Sequence, residues 1–553
     1  MIITKITSSL TKAMRDSKID DYTPLERISA LKGERVSFQL LHTYIPEAGA
    51  DVSAYPTLTL TGPLSKYATV REVKCVPIEN SLLTNVSPEE DYISLEGGLF
   101  PDLLTPLPLG DRVCTTLGAI GSIWVEIAPP DAVYIEDSTL TLRLGWVGEF
   151  SESSVAVHFV NATLPDSGIY MTQWFHTDCL ASYYGVKVFS ERHWEIIESF
   201  ARTAVRCGIN MLLTPTLTPP LDTEVGGERL TTQLVKVTLS EGKYSFDFAL
   251  LDRWIDMCDR VGIKYLEIAH LFTQWGAKHA PKVIATVGGE EKRIFGWETS
   301  ATSPEYVAFL RAFISALLSH LKARGDDGRC FFHISDEPHG DQIEYYRKAK
   351  EAVSDLLRGY PIIDALSDYE FYKAGVVEKP VPCNDHIAPF IEGGVENIWT
   401  YYCCGQTKRV SNRLTAMPSR RNRSIGMQMY KYNIRGFLHW DYNFYNSKHS
   451  LAPINPYLVQ DGIGWVPPGD AFSVYPAPDG TAYESIRIAV FYEALQDLAA
   501  LKLCESLCGR EATVATVDEV MGVDVTFDTC AKSDDVILTL RRRINEMIEE
   551  KIK

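Results

Sequence analysis

The first 165 residues and the rest of the chain carry different patterns of apolar and polar residues. Over residues 1–165, short runs such as VSFQLLHTYI, YPTLTLTG and STLTLRLGWV alternate apolar with polar side chains, and Gly, Pro and Asp separate them. Alternation with a period of two is typical of strands with one buried face, and regular turn residues between such runs are typical of an antiparallel sandwich. We therefore predict an N-terminal β-sandwich domain over residues 1–165, which ends near the turn sequence PDSG.

From residue 166 to residue 510, strand-like runs alternate with longer amphipathic stretches. This is the pattern of βα units, which place parallel strands side by side. It predicts an α/β fold, a (β/α)8 TIM-like catalytic barrel over 166–510, with a closing helix over 483–507 and a helical C-terminal extension over 511–553. The predicted strands span residues 169–178, 209–215, 265–272, 330–337, 361–367, 397–404, 435–443 and 472–475. The predicted helices between them include 190–207, 248–261, 304–324 and 340–357.

The fourth predicted strand ends in the sequence HISDEP, which places Asp336 and Glu337 directly before a proline. Side chains alternate along a strand, so the two acids can converge only if the strand breaks there, and Pro338 cannot continue a sheet ladder. Neighbouring carboxylates at the carboxyl end of a barrel strand are suited to acid–base chemistry. The alternative is structural: Asp336 caps the helix predicted over 340–357, which leaves Glu337 unexplained.

Aromatic and hydrogen-bonding side chains also gather at the other predicted strand ends. Flat rings pack against the C–H faces of sugars, while carboxylates, amides and Arg bind hydroxyl groups, so the set predicts a carbohydrate cleft. A single Trp is more often part of a buried core than of a ligand platform, and the prediction therefore depends on the set as a whole. The predicted substrate-binding residues are His176, Asp178, Arg229, Glu267, His270, Trp275, Trp297, Trp399, Tyr401, Tyr402, His439, Trp440, Asp441 and Asn443.

Composition and charge narrow the classes of partner. The 553 residues include 54 Lys and Arg against 72 Asp and Glu, a net charge of −18, and no basic block, which disfavours nucleic acids and anionic membranes. The N-terminus lacks the apolar run of a secretory signal and no window reaches the length of a membrane helix, so we expect a cytoplasmic protein. The 12 cysteines are scattered and are expected to be reduced. The expected partner is a carbohydrate, with no nucleic acid and no membrane, and a homo-oligomer is compatible with the sequence.

Other catalytic chemistries find little support. There is no HExxH, HxH or clustered Cys/His spacing, no glycine-rich phosphate loop and no GxSxG motif, so we expect no metal and no cofactor. A barrel could still bring ligands from different strands together, which keeps a zinc cluster as the competing hypothesis. Its ligands would be His176, His270, His333 and His439.

The sequence resembles glycoside hydrolase family 123 over about residues 169–510. The segments that carry the resemblance are HISDEP at 333–338, YYCC at 401–404, HWDYNFY at 439–445, WFHTDCLASYYG at 174–185 and EIAHLFTQWG at 267–276. The resemblance implies a retaining exo-hydrolase that releases a terminal β-linked N-acetylhexosamine, with N-acetylgalactosamine preferred. It also implies substrate assistance, in which the 2-acetamido oxygen of the sugar attacks the anomeric carbon and forms an oxazoline.

The resemblance gives the two acids different roles. Glu337 would be the general acid and then the base, and Asp336 would orient and polarise the acetamido N–H. An ionised Asp336 is then expected to raise the pKa of Glu337. Asp441 stands where relatives tend to have a small residue, so double displacement on a sugar without an acetamido group is the alternative, with Asp441 or Glu267 as nucleophile. A third reading is an inactive carbohydrate-binding protein.

Overall fold

The computed structural model describes residues 1–47, 49, 51–81, 91–135 and 137–553. In its first part these residues form almost only strands, because alternating runs are interrupted by turn residues before a helix could begin. The strands are β1 Ile2–Ser8, β2 Arg27–Lys32, β3 Val36–Tyr44, β4 Ser53–Ala54, β5 Thr57–Thr61, β6 Ala68–Ile78, β7 Gly98–Pro106, β8 Thr115–Thr116, β9 Gly121–Ile127, β10 Ser138–Trp146 and β11 Glu149–Thr163.

Two sheets make up most of this region. One has the strand order β1-β3-β9-β6-β7 and the other has the order β2-β11-β10-β5. Phe38 and Val125 from the first sheet share a buried core with Leu142 and Val157 from the second. Burial alternates along β10, as a strand with one face on a core requires. The prediction of a β-rich N-terminal region is confirmed.

The rest of the chain mixes helices and strands. Its strands are β12 Tyr170–Gln173, β13 Met211–Thr214, β14 Lys236–Ser240, β15 Lys243–Asp247, β16 Tyr265–Ile268, β17 Val283–Val287, β18 Glu290–Phe295, β19 Cys330–Phe332, β20 Asp364–Ala365, β21 Pro380–Val381, β22 Trp399–Tyr401, β23 Gly436–His439, β24 Val474–Pro476 and β25 Ala482–Glu484. Its helices are α1 Thr177–Tyr184, α2 Glu191–Arg206, α3 Ala249–Val261, α4 Pro304–Arg324, α5 Ile343–Glu351, α6 Tyr369–Lys373, α7 Ala388–Glu392, α8 Ser419–Lys431, α9 Ile486–Cys508, α10 Arg510–Met521 and α11 Asp534–Ile552.

Six of these strands form a curled parallel sheet with the order β19-β16-β13-β12-β23-β22. Strands β20 and β21 form a separate two-stranded parallel sheet. Single bridges, Phe332 to Ile362 and Cys383 to Tyr401, join that small sheet to the two edges of the large one. All pairs are parallel, so the carboxyl ends of these strands lie on one face.

The strand count differs from the prediction at two places. The predicted eighth strand, 472–475, is wrong, because β24 pairs antiparallel with β25 in a sheet of its own. The predicted set instead lacks β21, whose two residues include a proline and give no alternation to detect. The other predicted strands exist but are shorter, because their polar ends leave the sheet to form loops.

Helix α4 corrects one expectation from composition. Its 21 residues are long and apolar enough to cross a membrane by length and composition alone, contrary to the sequence prediction. Phe309, Phe313 and Leu317 on this helix are buried in the core. Packing therefore accounts for its apolar side chains.

The C-terminal helices connect the two parts of the chain. Helix α9 packs against α8 and α11, and α11 in turn packs on β2 and β11. Arg541 on α11 donates to Glu34 at 2.5 Å. Helix α11 therefore packs between helix α9 and the N-terminal sheet that contains β2 and β11.

Candidate active site

Strand β19 ends at Phe332, and the following backbone turns toward β20. The N–H of Glu337 donates to the carbonyl of Ala365 at 3.1 Å, and Glu337 has a φ of 40°. That left-handed conformation is unfavourable for a residue with a side chain, and such residues cluster at functional sites. The turn brings Asp336 and Glu337 out of strand alternation, so both carboxyls lie at the carboxyl end of the sheet.

Glu337 is held by a tyrosine from a neighbouring strand. The Tyr401 hydroxyl donates to Oε1 of Glu337 at 2.5 Å. Behind it, Ser367 Oγ lies 3.4 Å from the Tyr401 hydroxyl and 2.8 Å from Cys383 Sγ. This chain of contacts fixes the orientation of the Glu337 carboxyl.

The Asp336 carboxyl is buried and has no hydrogen-bond partner in the described part of the chain; only its main-chain carbonyl is engaged, by the N–H of Trp275 at 2.8 Å. Burial raises the pKa of Asp336 well above its ordinary value, and the charges of Glu337 and Asp222 raise it further. The sequence led us to expect the raised pKa on Glu337, whereas the structure raises the pKa of Asp336, the more deeply buried of the two acids. Neighbouring acids that interact strongly titrate as a pair.

Glu267 lies at the floor of the site, fully engaged by three donors. Thr172 Oγ1 donates to it, as do Trp174 Nε1 at 2.8 Å and His333 Nε2 at 2.6 Å. The other ring nitrogen of His333, Nδ1, lies 3.1 Å from Oδ1 of Asp364. Burial alone would lower the pKa of His333, but Asp364 and Glu267 outweigh it and raise the pKa to about 9. The floor is therefore a carboxylate–imidazolium–carboxylate set.

His270 stacks on His333 with ring centroids 4.1 Å apart. It is 1% exposed, and neither of its ring nitrogens has a hydrogen-bond partner among the residues that the structure describes. Burial and the neighbouring His333 lower the pKa of His270 well below its usual value, so the ring is neutral. A neutral imidazole with two free nitrogens can bind a hydroxyl or an amide of a ligand.

A second buried acid without a full set of partners is Asp441. Its Oδ1 accepts from the N–H of Phe444 at 2.7 Å, while its Oδ2 has no hydrogen-bond partner in the described ranges. Burial raises the pKa of Asp441 well above its ordinary value. Nearby, Trp440 Nε1 donates to Asp470 at 2.9 Å, and burial raises the pKa of Asp470 to about 7.

His176, Asp178, Arg229 and Asn443 form a framework at the edge of the site. Arg229 donates to both oxygens of Asp178 at 2.7 Å and to His176 Nδ1 at 3.2 Å. Asn443 exchanges hydrogen bonds with the main chain of His176 at 2.9 and 3.1 Å. Burial and the Arg229 charge lower the pKa of His176 to about 3. These contacts fasten the loop between β13 and β14 to helix α1.

The family model for the Glycoside hydrolase 123 catalytic domain matches residues 174–504. The chain belongs to this family of glycoside hydrolases. The solved structure of a family 123 glycoside hydrolase from Clostridium perfringens, described for glycolipid glycan hydrolysis, superposes with a TM-score of 0.72. The sequence identity is 14%, and the match covers 100% of this chain and 97% of that one, so it shows a shared fold.

More distant structures are also similar in part. A Parabacteroides merdae β-glucuronidase has a TM-score of 0.30 at 12% identity, covering 90% of this chain and 51% of that one. An endo-β-1,4-mannanase from Thermotoga petrophila has a TM-score of 0.33 at 12% identity, covering 61% and 77%. Scores this low carry no argument about fold. No curated protein matches the sequence.

Four residues predicted to bind substrate lie away from the paired acids of this glycoside hydrolase. Trp399 is the first residue of β22, at the amino end of the sheet, where its ring stacks on Tyr170 with centroids 5.3 Å apart. Tyr402 follows Tyr401 in the chain and therefore points to the opposite face, where its hydroxyl donates to Asn422 at 3.3 Å.

Trp297 is the third of these residues. Its Nε1 donates to the Gly227 carbonyl at 3.1 Å in the outer loops. His439 also turns away from the pair, with its ring edge-on to Tyr402. The remaining predicted residue, Trp275, lies beside Asp336 through its main-chain contact.

One acid that is not among the predicted substrate-binding residues, Asp222, also lies near the pair. It lies in the loop after β13, is 9% exposed, and has a pKa raised to about 7 by burial and by the charge of Glu337. Nothing in the surrounding sequence PPLDTEVGG distinguishes it from an ordinary loop acid. Only the packing of the loop reveals its position.

One group of described residues could hold a metal ion by distance. The ligand atoms of Cys383, Asp385 and His386 all lie within 4.8 Å of one another. Here His386 Nδ1 hydrogen-bonds Asp385 at 2.7 Å, and Cys383 Sγ contacts Ser367. In the described ranges, the four histidines of the zinc hypothesis do not form such a group.

Proposed function

We propose that this protein is a retaining exo-glycoside hydrolase that releases a terminal β-linked N-acetylhexosamine, preferably N-acetylgalactosamine. The observation that carries the proposal is the adjacent pair at the carboxyl end of the sheet. The Glu337 carboxyl is oriented by Tyr401, while the Asp336 carboxyl is buried and has no hydrogen-bond partner among the described residues. An acid left free in this way is suited to receive the acetamido N–H of the sugar.

The proposed mechanism uses the acetamido group as the nucleophile. Its carbonyl oxygen attacks the anomeric carbon as the bond to the leaving oxygen breaks, and Glu337 gives that oxygen a proton. Asp336 must be ionised at this step: the acetamido N–H that it accepts favours the carboxylate against the effect of burial, and the charge of that carboxylate then stabilises the positive charge of the oxazolinium. Water then attacks the anomeric carbon from the side of the departed group, Glu337 takes its proton, and the configuration is retained.

We also infer that the eight parallel strands form one interrupted TIM-like barrel. The six-stranded sheet leaves β19 and β22 as its edges, and one bridge from each edge reaches the small sheet of β20 and β21. The order of strands around such a barrel would follow the order of the chain. That arrangement supports a site at the carboxyl end, as in other barrel enzymes.

The second candidate is double displacement on a sugar without an acetamido group. The free Oδ2 of Asp441 favours it, because a nucleophilic carboxylate needs an unengaged oxygen. Glu267 is a poor candidate for that role, since Thr172, Trp174 and His333 all donate to it. Asp441 is therefore the nucleophile that this alternative requires.

A panel of nitrophenyl glycosides tests the proposal. It should include the β-anomers of N-acetylgalactosamine, N-acetylglucosamine, galactose and glucose, with Asp336→Asn/Glu337→Gln as the inactive control. Hydrolysis of the acetamido sugars alone, with micromolar or tighter inhibition by the corresponding thiazoline, is expected, since mimics of an intermediate bind tightly. Hydrolysis of the neutral sugars would favour double displacement. No hydrolysis of any glycoside in the panel would favour a carbohydrate-binding protein without activity.

A further inference from the structure

Asp222 has a main chain that is fixed on both sides. Its N–H donates to Gln274 Oε1 at 2.6 Å, and its carbonyl accepts from Ser450 Oγ at 2.8 Å. Its φ of 45° lies in the left-handed region, which is unfavourable for a side chain other than Gly. The surrounding loops therefore hold this residue in one unfavourable conformation, and a loop acid in bulk solvent needs no such restraint.

The loop that carries Asp222 is also anchored from its far end. Arg229 donates to the carbonyl of Leu221 at 2.9 Å while its other nitrogens bind Asp178. The Arg229 guanidinium is thus engaged elsewhere, although its charge lowers the pKa of Asp222 somewhat. In the described part of the chain, no side chain donates to the Asp222 carboxyl, which is 9% exposed.

Two consecutive hydrogen bonds connect Asp222 to the catalytic pair. Gln274 binds the N–H of Asp222, and the next residue, Trp275, donates its N–H to the carbonyl of Asp336. The Asp222 charge acts on both Asp336 and Asp441, and the Glu337 charge acts on Asp222. The two hydrogen bonds through Gln274 and Trp275 therefore place the Asp222 loop beside the strand end that carries Asp336, and the mutual effect of the charges agrees with that placement.

We propose that Asp222 is a substrate-binding residue whose carboxylate accepts a hydrogen bond from a ring hydroxyl of the sugar being cleaved. This inference depends on the proposed function, because it places the sugar at the Asp336–Glu337 pair. A buried acid without a donor costs stability, and a sugar hydroxyl supplies the missing donor. The neighbouring carboxyls disfavour sugars that carry a carboxylate or a sulfate near this position.

Asp222→Asn tests the role, with Glu224→Gln as its matched control. Glu224 belongs to the same loop and is exposed, so its change removes one negative charge without altering the site. The assay uses whichever aryl glycoside the wild-type enzyme hydrolyses, together with the 3-, 4- and 6-deoxy forms of that sugar. A wild type that hydrolyses only sugars without an acetamido group contradicts the proposed function and still allows Asp222 to be tested.

Asp222→Asn should lower kcat/KM on the parent sugar by about 10- to 100-fold, the loss of one hydrogen bond to a charged group. On one deoxy sugar, the form lacking the hydroxyl that Asp222 binds, the variant and the wild type should differ by less than about threefold, while Glu224→Gln has little effect on any sugar. The melting temperature of Asp222→Asn should equal or exceed that of wild type at pH 8. Equal losses on all three deoxy sugars, no loss on the parent, or a large drop in melting temperature would each contradict a binding role.

Discussion

Two groups of buried acids in this protein differ in their partners. At the contact between the N-terminal sheets and the second part of the chain, the Asp102 carboxyl group accepts hydrogen bonds from Nε and Nη2 of Arg487, both at 2.9 Å. Burial alone would raise the pKa of Glu484 in the same region, but Arg71 and Arg206 outweigh it and bring the pKa to about 2. Both acids are paired with arginine side chains.

The acids at the carboxyl end of the parallel sheet are buried without such partners. Asp336, Asp441 and Asp222 are between 0% and 9% exposed, and none of them forms an ion pair within the described residues. Burial raises the pKa of each of the three. Because an unpaired buried carboxyl costs stability, the comparison separates acids that hold the fold together from acids that await a ligand.

The largest expected effect is on the chemistry of Glu337, the acid that neighbours the unpaired Asp336. Glu337→Gln removes the proton donor at nearly constant shape, and kcat on substrates with poor leaving groups should fall by about 10²- to 10⁴-fold. Activated aryl leaving groups need less protonation, so the first step should suffer less with them. Steady-state rates on both types of substrate measure this, and equal losses would argue against Glu337 as the acid.

A substitution among the paired acids and their arginines should change the free energy of unfolding and leave the chemistry of the site intact. Arg487→Met leaves Asp102 buried without its cation and should lower the free energy of unfolding by about 3–5 kcal/mol. Denaturant titration measures this loss. The kcat of the remaining folded enzyme should stay near that of wild type, because Arg487 does not contact the catalytic pair. A variant that unfolds normally but loses activity would contradict the division into two groups.

Tyr401 is the last residue of β22 and Tyr402 is the next residue, and their side chains point in opposite directions. Tyr401→Phe removes the hydroxyl that stabilises ionised Glu337, so kcat/KM should fall about tenfold and the apparent pKa of the acid pair should rise. Tyr402→Phe loses only the contact with Asn422 and should leave the pH profile of kcat/KM in place. The pH profiles of kcat/KM for the two variants, measured on one substrate, test whether Tyr401 acts on Glu337. Identical profiles would contradict that role.

The smallest expected effect is a gain in stability. The folded pKa of Asp441 lies above the unfolded value of about 3.9, so the folded state is increasingly disfavoured as the pH rises above 4. Asp441→Asn should therefore raise the free energy of unfolding by about 1 kcal/mol or more at pH 7, and very little at pH 4. Its activity should change only modestly under substrate assistance. An inactive Asp441→Asn would support double displacement.

The sequence predicted much of the parallel sheet because each βα unit carries its own pattern. Helix α4 begins and ends where its spacing indicates, with Ser303 capping its first turn and Gly325 in the left-handed conformation after its last. Strand β21 escaped because two residues cannot show a period, and 472–475 was misassigned because an apolar run does not reveal which strand it will pair with.

The candidate site divides in the same way. Asp336 and Glu337 could be found because two adjacent acids before a proline are a local signal. Asp222 could not, because its position depends on Gln274 and Ser450, which belong to other loops. The burial of Asp336 relative to Glu337 likewise depends on tertiary packing, so the raised pKa of Asp336 could not be predicted from the sequence.

A series of aryl N-acetylhexosaminides whose acetyl group carries zero, one, two or three fluorines tests the central claim most directly. Fluorine withdraws electrons from the acetamido oxygen, so an enzyme that uses this oxygen as its nucleophile should lose kcat/KM progressively along the series. Tyr402→Phe, which leaves the catalytic pair intact, should show the same decline as wild type. We predict a steep decline; a kcat/KM that stays constant from zero to three fluorines would show that an enzyme carboxylate attacks instead, and would contradict substrate assistance.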